Sequence, residues 1–333
     1  MIHTNLINLQ KRMMTDEKKY KIYFAPLQGF TDAIYRNAHE VFLGGIDSYH
    51  APFIRLEKGD NFRKKEIRDI DKNNNAVKHL VPQLIANKPD ELRKIAKLIS
   101  EKGYTEVSIN LGCPFPMLAR RHKGSGILPY PNEVRDLLNT INEFPNIFFS
   151  VKMRLGWENM EECMALIPLL NALPFSGITL HPRLGIQQYK GTTDIDAFEL
   201  FYNECKHPLV YNGDIKTLED IEIITTRFPK LAGIMIGRGL LENPALAMEY
   251  KQNRALSFDE KAQRIKGLHT SMLESYKKQL QGEAQLLNKM KTLWEYLLPE
   301  IEKKYRKKIS KSTKMETYFA AVNEALRHQS NEY

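Results

Sequence analysis

The chain has 333 residues, 42% hydrophobic and 27% charged, with a mean hydropathy of −0.44 and a formal charge of +9. Its 15 Phe and 15 Tyr exclude an intrinsically disordered chain, and the apolar mass suffices for a sizeable core. Three cysteines (Cys113, Cys163 and Cys205) without a CxxC spacing argue against a disulfide framework or a zinc site. A metal-free protein of the reducing cytoplasm is expected.

Residues 1–20 read as an N-terminal extension without the apolar run of a signal peptide, and Met13 or Met14 is an alternative start. No uncharged apolar stretch approaches a membrane span. Eight β-rich runs then follow at roughly one βα unit each: Ile22 to Pro26, Ile46 to Phe53, Leu80 to Ile85, Glu106 to Gly112, Phe148 to Gly156, Gly177 to Arg183, Pro208 to Asp214 and Gly233 to Gly239. The segments between them carry helical signals. Leu92, Ile95, Ala96 and Ile99 form one face after Pro89, and Val134, Leu137, Leu138 and Ile141 repeat it after Pro131. Thr217 with Asp220 is a capping-box variant. Eight such repeats predict a closed parallel (β/α)8, or TIM, barrel over 21–250. A doubly wound open sheet is the rival, but no strand is followed by GxGxxG.

After Pro244 the strand signals stop. Three helical runs follow, with Leu286, Met290, Leu293, Leu297 and Ile301 as one buried stripe of a continuous helix from Glu283 to Tyr305. A small all-α domain over 251–333 is predicted. It holds 17 basic and 10 acidic residues, so nearly all the excess charge lies there, most densely between Glu302 and Lys314. Such a run is either a solvated helix face or a surface for a polyanion, of which nucleic acid is the commonest.

A barrel presents its functional groups at the C-terminal strand ends. Those ends carry Pro26, Leu27, Gln28, Gln83, Asn110, Cys113, Lys152, Arg154, His181, Arg183, Asn212, Gly213, Asp214, Gly237 and Arg238. The NGD and GRG turns after the last two strands stand where barrels commonly hold a phosphate, although glycine is frequent in any tight turn. Lys152 is either half of an internal ion pair or a cation beside a cofactor ring. Gln83 is either bonded to backbone or offers donor and acceptor to such a ring. Cys113 differs from Cys163 and Cys205 in standing on the rim, followed by the basic loop Arg120, Arg121, His122 and Lys123. A protonated thiol there can act as a general acid, and with His181 as base it can act as a nucleophile. His181 is otherwise a satisfied core histidine. Arg183, on the same face two residues later, calls for an anionic or planar partner.

The segments APLQGFTD, INLGCP, VKMRLG, HPR with QQYKG, NGD and MIGRG, in this order and spacing, resemble the tRNA-dihydrouridine synthase family from about Tyr23 to Pro244. The basic tail is similar to that family's RNA-binding domain. Gln28, Pro129 and Pro182 depart from the usual pattern without touching Cys113. The resemblance implies an FMN-dependent oxidoreductase that reduces uridines in tRNA to 5,6-dihydrouridine with NADPH, acting as a monomer. It further implies that Pro26, Leu27, Gln28, Gln83, Lys152 and His181 hold the flavin, and that Asn212, Gly213, Asp214, Gly237 and Arg238 hold its phosphate. Cys113 would then be the proton donor, and Asn110 and Arg183 would face the target base. Two other readings are open: an FMN barrel acting on a free pyrimidine, which has no need of the basic tail, and a non-catalytic tRNA-folding factor, which has no need of Cys113.

Overall fold

The computed structural model describes residues 19–57 and 59–327. Both candidate start methionines, most of the expected N-terminal extension and the last six residues of the expected tail lie outside the described residues. Nine strands, all paired in parallel, make one sheet: β1 (Lys21–Phe24), β2 (Ser48–His50), β3 (Leu80–Val81), β4 (Gln83–Leu84), β5 (Glu106–Leu111), β6 (Phe148–Gly156), β7 (Gly177–Leu184), β8 (Leu209–Tyr211) and β9 (Gly233–Ile236). The order β3-β2-β1-β9-β8-β7-β6-β5-β4 places β3 and β4 at the two ends, and Pro82 joins them. The third expected strand is therefore split, because proline has no N–H to give the ladder. Its carbonyl still accepts from Ser108 N at 2.9 Å, so the barrel closes through Pro82 with the eight staves that the sequence predicts.

The expected helices are present. Pro89–Glu101 buries Leu92, Ile95, Ala96 and Ile99, Pro131–Asn139 buries Val134, Leu137 and Leu138, and Leu218–Arg227 starts on the Thr217–Asp220 capping box. Strand alternation sends Ile22 and Phe24 outward into the core, where the Phe24 ring packs on Tyr35 and His39 of helix Ala33–Phe42. The barrel axis is mostly polar, with Ala25, Val210 and Met235 as a small apolar cluster.

The tail forms helices Phe258–Gln279, Glu283–Leu293, Lys303–Lys311 and Met315–Ala325. The continuous helix expected from Glu283 to Tyr305 is broken: the chain leaves it at Trp294, passes through Leu298 at φ 47°, and resumes at Lys303. Pro299 follows Leu298 and disfavours helix there. All five stripe residues are nonetheless buried.

Helix Phe258–Gln279 lies along helix Ala33–Phe42. At Gly267 a Cβ would stand 2.4 Å from the Phe42 ring, so only glycine permits this approach. Arg264 donates to Phe42 O at 3.0 Å, and Tyr276 Oη donates to both Asp32 carboxylate oxygens at 2.8 and 2.9 Å. The parts expected as 21–250 and 251–333 thus share one hydrophobic core.

Candidate active site at the barrel mouth

Two recesses adjoin at the C-terminal strand ends. The first is lined by Pro26, Leu27, Lys152, His181, Asn212, Gly213, Asp214, Gly237 and Arg238, which gathers nine of the eleven residues expected to hold a cofactor. Its floor is made by pressing the two glycine turns together. A Cβ on Gly239 would meet Ile215 O at 1.9 Å, whereas above Gly237 the nearest atom would be 3.4 Å away. The cradle is closed behind and open in front, as an anion bound by backbone N–H groups requires.

Asp214, at φ 44°, turns its carboxylate back toward the protein. Arg183 Nη1 donates to it at 2.9 Å, its Nη2 forms a second, shorter bond, and Arg238 Nη2 donates at 3.2 Å. Arg183 also gives one bond to Gly191 O at 2.8 Å and one to His181 Nε2 at 3.1 Å. Guanidinium nitrogens only donate, so His181 Nε2 accepts and the imidazole proton sits on Nδ1. Burial, then the cations Arg154, Lys152, Arg183 and Arg238, push His181 well below the usual histidine range and keep it neutral.

Lys152 Nζ donates to Asn212 Oδ1 at 2.7 Å, and Asn212 Nδ2 donates to Met235 O at 2.7 Å. Burial and the neighbouring Arg154 draw the Lys152 ammonium down to about 7. Gln83 is fully buried and does not line the recess; it donates to Ser108 Oγ at 3.3 Å and accepts from Asn110 Nδ2 at 2.8 Å. Asn110 Oδ1 in turn accepts from the N–H groups of Gly112 and Cys113 at 3.0 and 2.9 Å. This amide chain shapes the turn that carries the thiol, with Asn110 bonded to the Cys113 N–H, and Arg183 is engaged with Asp214, Gly191 and His181 on the cradle side of the mouth.

Cys113 lines the second recess, an open cleft of about 1140 Å³ that includes Gln28, Phe53, Phe115, Tyr189 and Tyr296. Ser125 N and Oγ both donate to Cys113 O, at 3.1 and 3.0 Å. Gly124, at φ 61°, would place a Cβ only 2.6 Å from that oxygen. Burial raises the thiol above its ordinary value, with a backbone bond from Phe115 and the Arg154 and Lys152 charges opposing. Cys113 is accordingly a protonated thiol at neutral pH. Cys163 is buried in a helix, and Cys205 bonds weakly to His207 O at 3.8 Å.

Tyr189 borders both recesses and lies between two guanidinium groups, Arg238 at 4.9 Å and Arg154 at 5.5 Å from its ring. Arg154 is anchored to Gly112 O at 3.1 Å and Leu184 O at 2.8 Å. Its place beside Lys152 was readable from strand alternation. Tyr189 sits on a loop, where no periodicity marks it. Among the described residues no group of His, Cys, Asp or Glu is arranged to hold a metal ion.

A family model described as dihydrouridine synthase matches residues 23–331. The chain belongs to the dihydrouridine synthase family. Membership makes it an oxidoreductase and extends the resemblance seen in the motifs to the helical tail. The tRNA-dihydrouridine synthase B of Pasteurella multocida is 25% identical over 236 residues, 71% of this chain and 70% of that protein. The synthase B of Vibrio vulnificus is 22% identical over 318 residues, covering 92% and 93%. The tRNA-dihydrouridine(16) synthase of Neisseria meningitidis is 26% identical over 243 residues, covering 71% and 72%. Among solved structures, a variant of NCR from Zymomonas mobilis has a TM-score of 0.51 at 15% identity, covering 71% of this chain and 88% of that one. Histamine dehydrogenase from Rhizobium sp. 4-9 has a TM-score of 0.52 at 11% identity, covering 75% and 49%. These likenesses show the barrel fold.

Proposed function

We propose that this family member reduces uridines in tRNA to 5,6-dihydrouridine, with FMN at the barrel mouth, NADPH as electron donor and Cys113 as proton donor. One observation carries the reading: a glycine-floored anion cradle with Lys152 and His181 adjoins an apolar cleft that holds a protonated thiol, and Tyr189 borders both. The donor set fits FMN. Gly213, Gly237 and Arg238 would hold the phosphate, and Lys152, with the Nδ1–H of His181, would face the ring. FMN, when bound, supplies the hydride. Cys113 holds at Sγ the proton that the neighbouring ring carbon of uracil needs, and the aromatic walls of the cleft exclude water from the base.

Taking the base out of folded RNA costs a few kcal/mol. The tail offers compensation: Lys303, Lys307 and Lys311 recur every four residues along one exposed helix face and have no acidic partner among the described residues. The Arg120–Lys123 loop offers less than its sequence promises, because His122 pairs with Glu133 at 2.9 Å and Lys123 with Glu91. Arg120 and Arg121 remain exposed. This stripe favours tRNA over a free pyrimidine, and no helix among the described residues is long and apolar enough to cross a membrane. The proposed enzyme is a cytoplasmic monomer.

The deciding experiment uses the purified protein. It should be yellow, release FMN on denaturation, and form dihydrouridine in tRNA lacking the modification when given NADPH. A colourless protein that fails to take up added FMN overturns the proposal. Converting Lys303, Lys307 and Lys311 together to Glu should weaken tRNA binding and lower the salt dependence of log K by roughly 2–3. Flavin reduction by NADPH should be unchanged in the same protein. Equal tRNA affinity at low and moderate salt would make the stripe a solvated face only.

A further inference from the structure

The barrel has a second opening, at the N-terminal ends of its strands. Barrel interiors are usually filled by layers of bulky branched side chains. Here Tyr23, Ser48, His50, Ser150 and Thr179, beside Val81 and Val210, take most of those places and leave an open-mouthed cavity of about 1060 Å³. Ser48 Oγ and His50 Nδ1 are buried without a partner among the described residues, and both residues line this cavity. Ser48 is 2% and His50 8% exposed, so neither orphaned residue is a surface group. Two unpaired polar atoms facing one polar cavity are the setting in which interior water is retained.

The column runs toward the catalytic mouth. At its outer rim His79 Nε2 and Glu106 Oε1 are 2.9 Å apart, beside Lys21 and Asp47. At its inner end, Ser150 lies two residues before Lys152 on the same face of β6, and Thr179 is the register partner of Lys152 across β6–β7. His50 lies within electrostatic reach of both His79 and Lys152. Hydroxyl and imidazole groups therefore line a path from the N-terminal mouth to the layer directly beneath Lys152.

We propose that this column is a water-filled proton shaft through which Lys152 exchanges protons with solvent at the N-terminal mouth, with His50 as the relay. The proposal rests on the functional reading above, in which bound FMN and RNA cover Lys152 from the other side. The titratable and charged groups around Lys152 are Arg154 on its own strand, Cys113 after β5, His181 on β7, His50 on β2, and Asp214, Arg238 and Tyr189 across the recess. The one carboxylate among them, Asp214, is held by Arg183 and Arg238, so we draw the supply from below. Burial, with the His79 and Lys152 charges adding to it, holds His50 at about 3, leaving a neutral imidazole that can accept at one nitrogen and donate from the other. The balance is simple. A hydride passing from the reduced nicotinamide to the bound ring oxidises the donor, adds one negative charge to the ring and frees no proton. Lys152, drawn down to about 7, stands partly as the amine; that fraction would take one proton from solvent to become ammonium, and give it back when the hydride leaves for uracil. The proton that uracil receives is that of Cys113, which solvent replaces.

Anaerobic stopped-flow mixing of the holoenzyme with NADPH, in weak buffer with a pH indicator, reads the two events separately. Flavin absorbance reports reduction and the dye reports proton uptake. In the unaltered protein uptake should keep pace with reduction. In His50→Leu, and in Ser150→Leu, which fills the cavity, uptake should lag by about a hundredfold while reduction stays within about threefold. Thr179→Val, nearly unchanged in shape, guards against a folding defect and should show the same lag in weaker form. Uptake that keeps pace in both His50→Leu and Ser150→Leu overturns the shaft. A crystal structure decides independently of the cofactor: an ordered water chain from His79 to Lys152 supports the shaft, and a dry or side-chain-filled cavity overturns it. Failure of FMN to bind would instead defeat the functional reading.

Discussion

Cys113→Ala should bind FMN and accept hydride from NADPH at a near-normal rate, yet reoxidise with tRNA about a hundred- to ten-thousand-fold more slowly, the usual loss of a general acid. The split follows from geometry. Cys113 lines the apolar cleft and is absent from the lining of the cradle, so in the proposed reaction its side chain would serve the second half-reaction only. Stopped-flow absorbance separates the two halves. Cys163→Ala and Cys205→Ala, remote from both recesses, should leave both rates intact. Because burial raises the Cys113 thiol, the rate of tRNA-dependent reoxidation should stay flat past the ordinary thiol value of 9.0 and fall only as the thiol ionises above it. A descending limb at or below that value would mean that a different group supplies the proton. Equal loss in both half-reactions would identify a damaged flavin pocket.

Arg36→Leu should cost about 3–5 kcal/mol of stability, because it leaves a carboxylate in the interior without its cation. Arg36 is fully buried and donates to Thr31 O at 2.7 Å, Asp69 Oδ2 at 3.0 Å, Asp69 O at 2.7 Å and Asn75 Oδ1 at 2.7 Å. Asp69 Oδ1 also accepts from Ala33 N at 2.6 Å, at the start of the helix on which the tail rests. The measurement is thermal unfolding followed by circular dichroism, with a fall in Tm of roughly 5–15 °C expected. Arg36→Leu combined with Asp69→Leu should recover part of the loss, since the unpaired charge goes with it. A change under about 1 kcal/mol, the range of an exposed ion pair, would mean that water reaches Asp69 freely.

What the sequence made legible was whatever strand alternation and helix periodicity control. Lys152 with Arg154 and His181 with Arg183 share a face because they are two apart on a strand, and the structure keeps both pairs at the mouth. The breaks escaped notice where the pattern continued through them. The stripe from Leu286 to Ile301 keeps its spacing across Leu298, so periodicity alone reports one helix where the chain turns. Pro82 lies inside an apolar run and divides a strand without altering its hydrophobic character. Partners distant in sequence were also out of reach. Nothing near Arg183 announces Asp214, nothing near Lys123 announces Glu91, and the amide chain from Ser108 through Gln83 and Asn110 to Cys113 exists only when β4 and β5 lie side by side. Alternation places a side chain; only the closed barrel selects its partner.

The close fit of Gly267 on Phe42 has a consequence for how the protein is made. The Ala33–Phe42 helix waits for a partner more than two hundred residues downstream before its apolar face is covered. At roughly 5–20 residues per second that interval is on the order of tens of seconds. Nascent chains would spend it with the Ala33–Phe42 surface open to chaperones and to one another. A product ending before Gln279 would never leave that condition, so premature stops in the tail should yield aggregated or degraded protein rather than a free-standing barrel.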